Sequence, residues 1–204
     1  MIWLPSQNMV FIHIPKTGGV AVEQALQKHF PDAQCLRHHW HGYPGRHVTF
    51  ALLQEHQHPA GLAEPFCFVR HPVHWYVSMW RYLQDVRVGR EKKGKRYESF
   101  LEEYEWHPMR WFVEPAKLPF HQFVKQLTGD SPGIYSSICE AYTSDVEIVR
   151  YSATLAEDLE GLFPGIQDKI YHVNASKHPK PVVTHGLRRA ILESEHKVID
   201  RYFT

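Results

Sequence analysis

The segment from Asn8 to Phe30 constrains the fold more than any other part of this 204-residue chain. Residues 8–14, NMVFIHI, are mostly apolar, β-branched or aromatic, and they stop at Pro15 with Gly18 and Gly19 close behind. A run this short, bounded by Pro and Gly, predicts a buried strand ending in a tight loop. From Val20 to Phe30 the period changes, and Val22, Ala25, Leu26 and Phe30 recur at helical spacing with Glu23, Gln24, Gln27 and Lys28 between them. Strand, glycine loop and helix open an α/β unit.

The pattern returns along the chain. Residues 65–70, PFCFVR, predict a second buried strand, and Pro72 opens a helix running to about Val88, a position where its missing N–H costs little. VEIVRY (146–151) and KIYHV (169–173) predict further strands, separated by a helix from Leu155 to Phe163. The end, from about His185 to Phe203, is amphipathic and helical through Leu187, Ile191, Leu192, Val198 and Ile199. Alternating strands and helices predict an α/β fold with a central parallel sheet flanked by helices. At 43% hydrophobic and 22% charged residues the chain fits one domain, 1–204, with a substantial core.

Charge narrows the function classes. The net charge is +1, so no overall field favours nucleic acid or a membrane surface, and an anionic ligand must be held by local charge. Cys35, Cys67 and Cys139 are odd in number and far apart, which suits reduced thiols in the cytoplasm better than a disulfide framework. MIWLPSQNMVFIHIP has no basic flank before a long apolar run, so no signal peptide is expected, and no stretch reaches the length of a membrane span. The 16 histidines raise the question of metal, but His38, His39 and His41, the tightest group, follow no His-Glu-x-x-His or Cys/His spacing. No metal site is expected.

The loop IPKTGG (14–19) carries the first chemical signal. Glycines let the backbone approach an anion, successive N–H groups form a nest, and the helix N-terminus adds partial positive charge. Lys16 supplies a full charge at the same place, and Thr17 a hydroxyl donor. The order is not that of a Walker A loop, whose Lys follows the last Gly, because Lys16 precedes both glycines. That disfavours an ordinary kinase or nucleotide triphosphatase.

FIHIPKTGG (11–19) resembles the 5′-phosphosulfate loop of sulfotransferases that use 3′-phosphoadenosine 5′-phosphosulfate (PAPS), above all the carbohydrate O-sulfotransferases and their bacterial relatives. The resemblance implies a P-loop-like sulfotransferase fold and a cofactor contact running through Pro15, Lys16, Thr17, Gly18, Gly19, Val20 and Ala21. The family usually places hydroxyl residues after the glycines, and Val20-Ala21 here remove one or two side-chain contacts. A second family signature is a strand ending in Arg, then Pro, then a helix with Ser eight residues after the Arg. FVRHPVHWYVSMWRY (68–82) matches it through Arg70, Pro72 and Ser78. The resemblance gives Arg70 and Ser78 the 3′-phosphate, for which a forked guanidinium is suited. The acid expected after the Arg is His71, and a second expected Arg is Trp75.

GRHVTFALL (45–53) is similar to the family segment that sets a histidine before a short helix. In heparan sulfate 2-O- and 6-O-sulfotransferases that histidine is the catalytic base, a role carried here to His47. Imidazole, with an ordinary pKa of about 6.5, suits proton removal at neutral pH. HVNASKHP (172–179) resembles the late Asn-x-Ser loop that closes over the cofactor, which brings in Asn174 and Ser176, and EIVRYSATLAEDL (147–159) echoes a strand and helix start. Residues 84–145 match nothing in the family and are assigned to shaping the acceptor site. Within them RVGREKKGKR (87–96) reads as a solvated loop, with a second reading as a cationic border, including Lys92, Lys93 and Lys95, to an acceptor cleft. Tyr104, Trp106 and Trp111 follow it as candidates for stacking on sugar rings.

The expected activity is therefore sulfuryl transfer from PAPS to a hydroxyl-bearing acceptor, a carbohydrate first among candidates, by in-line displacement. Lys16 and His47 are the expected catalytic groups. Two alternatives stand beside it: a small-molecule kinase with a related phosphate loop, and a non-catalytic relative that binds nucleotide or glycan.

Overall fold

The computed structural model describes residues 1–36, 39–40, 43–44, 47–91, 112, 115–170 and 176–203. The chain forms two compact units, Met1–Arg70 with Cys139–Asn174, and His71–Ile138 with Ala175–Thr204. No helix among the described residues is long and apolar enough to cross a membrane.

The first unit is α/β. Its strands are β1 (Ile2–Leu4), β2 (Met9–Ile12), β3 (Gln34–Cys35), a small hairpin of β4 (His39–Trp40) and β5 (Tyr43–Pro44), β6 (Glu64–Val69) and β7 (Ile148–Tyr151). Its helices are α1 (Gly19–His29) and α2 (Phe50–Glu55) before β6. An open five-stranded sheet runs β3-β1-β2-β6-β7. The β2-β6-β7 core is parallel as the sequence predicts, but β1 pairs antiparallel with both β2 and β3, so the sheet is mixed. The cause is the short link from β1 to β2, a 3-10 turn at Pro5–Gln7 followed by Asn8 at φ 51°. A link this short joins only antiparallel neighbours.

Burial follows the parallel pattern, with Val10, Phe11, Ile12, Phe66, Cys67, Phe68 and Val69 all at 0% exposure although they alternate between sheet faces. On one face Val22, Ala25 and Leu26 of α1 pack with Phe11, Phe66 and Phe68. That face is also covered by a helix after β7, Leu155–Leu162, through Leu159 and the following Phe163. Phe163 sets its ring 5.6 Å from Phe66 and 5.1 Å from Phe30. Edge contacts of this kind add about 0.5–1.5 kcal/mol each beyond burial. The strand expected at KIYHV is not formed at its start, where Lys169 ends a 3-10 turn from Gln167 and Ile170 is extended but unpaired in the sheet; residues 171–173 lie outside the described residues.

The second unit is helical. Its elements are α3 (Pro72–Glu91), α4 (Phe120–Asp130), the first half of α5 (Ile134–Thr143), α7 (His185–Ser194) and α8 (His196–Tyr202), with α6 the Leu155–Leu162 helix of the first unit. Phe120, Phe123, Val124 and Leu127 form the buried stripe of α4, which packs on α3 and α7. α3 runs past the expected end at Val88, so the first five residues of the basic run, 87–91, are helical rather than loop. The single terminal helix expected from His185 to Phe203 is broken at Glu195, whose side chain is drawn into the unit's interior.

Candidate functional site

The register of two strands brings the two motifs together. β2 and β6 are parallel neighbours with Ile12 opposite Cys67, and three residues on from each stand Pro15 and Arg70. Both lie just beyond the carboxyl ends of their strands, where open α/β sheets bind ligands. The Arg70 guanidinium closes the remaining gap, its Nη1 donating to the Lys16 carbonyl at 3.1 Å. A cation from the second motif thus braces the loop that carries the cation of the first.

The loop has the backbone form of an anion nest. Lys16 sits at φ 68° and Gly18 at φ 95°, directly before the N-terminus of α1. Left-handed residues ahead of a helix start gather amide groups into a concave surface with positive potential. Lys16, Val20 and Ala21 are half-buried and Pro15 is buried. Sequence reasoning assigns both glycines to close anion approach, and the packing adds an internal demand. A Cβ on Gly18 would stand 2.9 Å from Leu155 Cδ1, and one on Gly19 would land in the His13 ring. Thr17 departs from its expected part as an outward donor. It is fully buried and its one hydroxyl proton goes to the Ile14 carbonyl at 2.9 Å, so it braces the turn from within.

Beneath the loop lies a charged group that sequence reasoning missed. His13 Nδ1 stands 2.8 Å from Glu23 Oε1, and the Met1 amino nitrogen 2.7 Å from the same oxygen, with Glu23 1% exposed. Glu23 falls among the polar residues of the α1 pattern, yet it points inward, because two long-range partners make its burial tolerable. Nothing local in the sequence announces that pairing. Burial pushes the Glu23 carboxyl up, but the His13 hydrogen bond and the charges of the Met1 amino group and His13 overcome it and hold the pKa at about 2. Glu23 is therefore a carboxylate, and since a carboxylate only accepts, His13 Nδ1 carries a proton.

His47 stands beside this pair. Its Nδ1 lies 3.3 Å from the His13 carbonyl, and the two rings are 5.0 Å apart between centroids. A carbonyl only accepts, so Nδ1 carries the proton and, in the neutral ring, Nε2 is the basic atom. The His47 carbonyl accepts from the Tyr142 hydroxyl at 2.8 Å, which anchors the main chain ahead of α2. Burial pushes the Tyr142 phenol well above its ordinary range, so it remains a donor. Thr49, two residues after His47, caps α2 through the Leu52 N–H, which fixes where the helix begins.

Two further candidates, Ser78 and Ser176, belong to the second unit. Ser78 is half-buried on α3 in the second unit. Ser176, also in that unit, has its hydroxyl within 3.3 Å of the Arg81 carbonyl and accepts from the His178 N–H at 3.2 Å. Asn174, Lys92, Lys93, Lys95, Tyr104, Trp106 and Trp111 lie outside the described residues. Trp75, standing where the family has a second Arg, is fully buried and stacks on Tyr135 with centroids 4.5 Å apart. That position serves the helical core. His71 is half-buried, and burial, followed by His74 and Arg188, lowers its pKa. Among the described residues no group of three His, Cys, Asp or Glu side chains is placed to hold a metal ion. No family model matches the chain, and no curated protein or solved structure matches it.

Proposed function

We propose that the chain is a sulfotransferase that moves a sulfuryl group from PAPS to an acceptor hydroxyl, with carbohydrates first among the acceptors. The observation that supports this reading is the Arg70 guanidinium on the Lys16 carbonyl, which ties one cationic side chain to the backbone of a nest-shaped loop bearing a second at the carboxyl ends of adjacent parallel strands. A ligand with separate phosphate groups fits such a site better than one with a single charge.

PAPS supplies an activated sulfuryl group; the chain's residues do the rest. Loop amides and Lys16 hold the 5′-phosphosulfate, and Arg70 takes the 3′-phosphate. His47 Nε2 accepts the acceptor proton as the acceptor oxygen bonds to sulfur and the sulfur–oxygen bond to the 5′-phosphate breaks. Lys16 and the α1 N-terminus offset the charge that develops on the leaving phosphate.

Calorimetry with 3′-phosphoadenosine 5′-phosphate (PAP) and with ATP tests the binding half. PAP is expected to bind far more tightly, and Arg70→Ala to weaken it by about 1–3 kcal/mol, the scale of a charged hydrogen bond. ATP bound as tightly as PAP by the parent protein overturns the assignment. A sulfate-transfer assay over glycans, phenols, steroids and lipids tests the chemistry, with His47→Ala expected to lower turnover about 10²–10⁴-fold at nearly unchanged PAP affinity.

A further inference from the structure

Three features of the first unit meet at one buried side chain. His13 follows β2 directly and is 4% exposed. One ring nitrogen is tied to Glu23 at 2.8 Å, and the ring fills the space that a Cβ on Gly19, the first residue of α1, would occupy. Its carbonyl holds His47 Nδ1 at 3.3 Å while its ring lies 5.0 Å from the His47 ring at 56°. The imidazole therefore touches both the helix start behind the anion loop and the imidazole assigned as base.

We propose that the buried His13–Glu23 pair is a positioning device that sets the seat of the phosphate loop and the tautomer of His47 together. Glu23 fixes the plane of the His13 ring by accepting from Nδ1, and the fixed ring leaves His47 one orientation, with Nδ1 on the His13 carbonyl and Nε2 as the basic atom. The same ring wedges against Gly19 and so holds the N-terminal end of α1 under the loop. Loss of the pair frees His47 to turn and lets the helix start shift. Neither His13 nor Glu23 touches substrate in this account. The effect on cofactor affinity rests on the PAPS reading above, whereas the effect on His47 does not.

The test separates the two. Nitrogen-15 chemical shifts of the histidine rings report which nitrogen carries the proton, and the His47 signals are assigned by their absence from His47→Asn. In the parent protein His47 is expected protonated at Nδ1 alone in the neutral ring. His13→Leu is expected to give a mixture of tautomers and about tenfold weaker PAP binding, comparable to losing one good contact. His13→Asn, whose amide N–H stands where Nδ1–H stood, restores most of both, and Glu23→Gln, which keeps the acceptor and removes the charge, falls between. A folded His13→Leu protein with the parent tautomer at His47 overturns the proposal. If His13→Leu does not fold, Glu23→Gln decides in its place, and parent-like His47 shifts with parent-like PAP affinity overturn the proposal equally. A parent protein that binds no PAP, yet shifts its His47 tautomer in His13→Leu, loses the sulfotransferase reading and keeps the positioning pair.

Discussion

Glu23 in the first unit and Glu195 in the second are both buried, at 1% and 0% exposure, and they are held by different chemistry. Glu23 faces ionisable partners, the Met1 amino group and His13. The donors that reach Glu195 are neutral: the Tyr76 hydroxyl at 2.7 Å, the Ser136 N–H and hydroxyl at 2.8 Å each, and the Tyr135 N–H at 3.2 Å. Two of these are amides in the first turn of α5, so Glu195 caps that helix from 59 residues away and ties it to α3 and the α7–α8 break. Burial first, and then the Glu195 charge, drive the Tyr76 phenol far above its ordinary range, which keeps it a donor. The positive-φ non-glycine residues, Asn8, Lys16 and Gln57, also all belong to the first unit among the described residues. The ionic pairing and the left-handed side chains thus fall in the first unit, with Lys16 in the candidate loop itself and Asn8 at the other end of β2, and the helical unit satisfies its buried acid with neutral, redundant hydrogen bonds.

The largest effect is expected where neutral donors would be stranded. Glu195→Ala takes the carboxylate away from four buried donor groups, and at about 1–3 kcal/mol each, partly offset by water entering the gap, a loss of about 4 kcal/mol or more is expected in urea unfolding. The stranded partners, a phenol held far above its ordinary range, a hydroxyl and two amides, do not titrate between pH 5 and 8.

Glu23→Gln sharpens the contrast through its pH dependence. The folded pKa lies below the unfolded one, so the carboxylate stabilises the fold fully above the ordinary value of 4.5 and progressively less as pH falls toward about 2. The shift from 4.5 to about 2 corresponds to roughly 3 kcal/mol, which the Gln variant should lack at pH 7. Urea midpoints of parent and variant should converge on acidification from pH 5 to 2. A difference that stays constant over that range would show that Glu23 acts through shape and not through charge.

The parts of the fold legible in the sequence were those with sharp punctuation. β2 and β6 are continuous apolar runs ended by Pro or Arg-x-Pro, and α1 and α3 begin where Gly19 and Pro72 place them. β1 is only three residues long, too short to show a period, and it exists because β2 lends it partners. α4 carries a plain helical stripe at Phe120, Phe123, Val124 and Leu127, a signal present in the sequence but far from any motif that drew the eye. At the site, Lys16, Arg70 and His47 were readable from motif order. His13, Glu23 and Tyr142 were not, because their parts depend on contacts 10 to 95 residues apart in the chain.

A smaller effect separates packing from anion approach at the glycines. Gly19→Ala drives a methyl group into the His13 ring, and an overpacked site of this kind costs about 1–3 kcal/mol. Gly129 in α4 and Gly161 in α6 meet nothing within 4 Å, so Ala there should stabilise by about 0.5–1 kcal/mol through helix propensity. The three melting curves, recorded without ligand, decide the matter. An unchanged Gly19→Ala protein would return that glycine to service for the ligand alone.

The smallest effect on stability is expected at Lys16, and its sign is the informative part. A side chain held at φ 68° is strained by contact between its Cβ and the following carbonyl, at about 1–2 kcal/mol. Lys16→Gly removes that strain but gives the unfolded chain more freedom, which takes back about 0.4–1 kcal/mol. The balance is a gain near 0.5 kcal/mol, a degree or two in melting temperature for a chain of this size. Binding should move the other way. The variant loses the one full charge that the loop itself carries, so PAP affinity should fall by about tenfold or more, on the scale of a charged hydrogen bond. Lys16→Ala, which loses the same charge and keeps the strain, should match the glycine variant in affinity and fall below it in stability. A Lys16→Gly protein that melts lower than Lys16→Ala would mean that the left-handed turn is relaxed, and the strain attributed to the first unit would have to be sought at Gln57 instead.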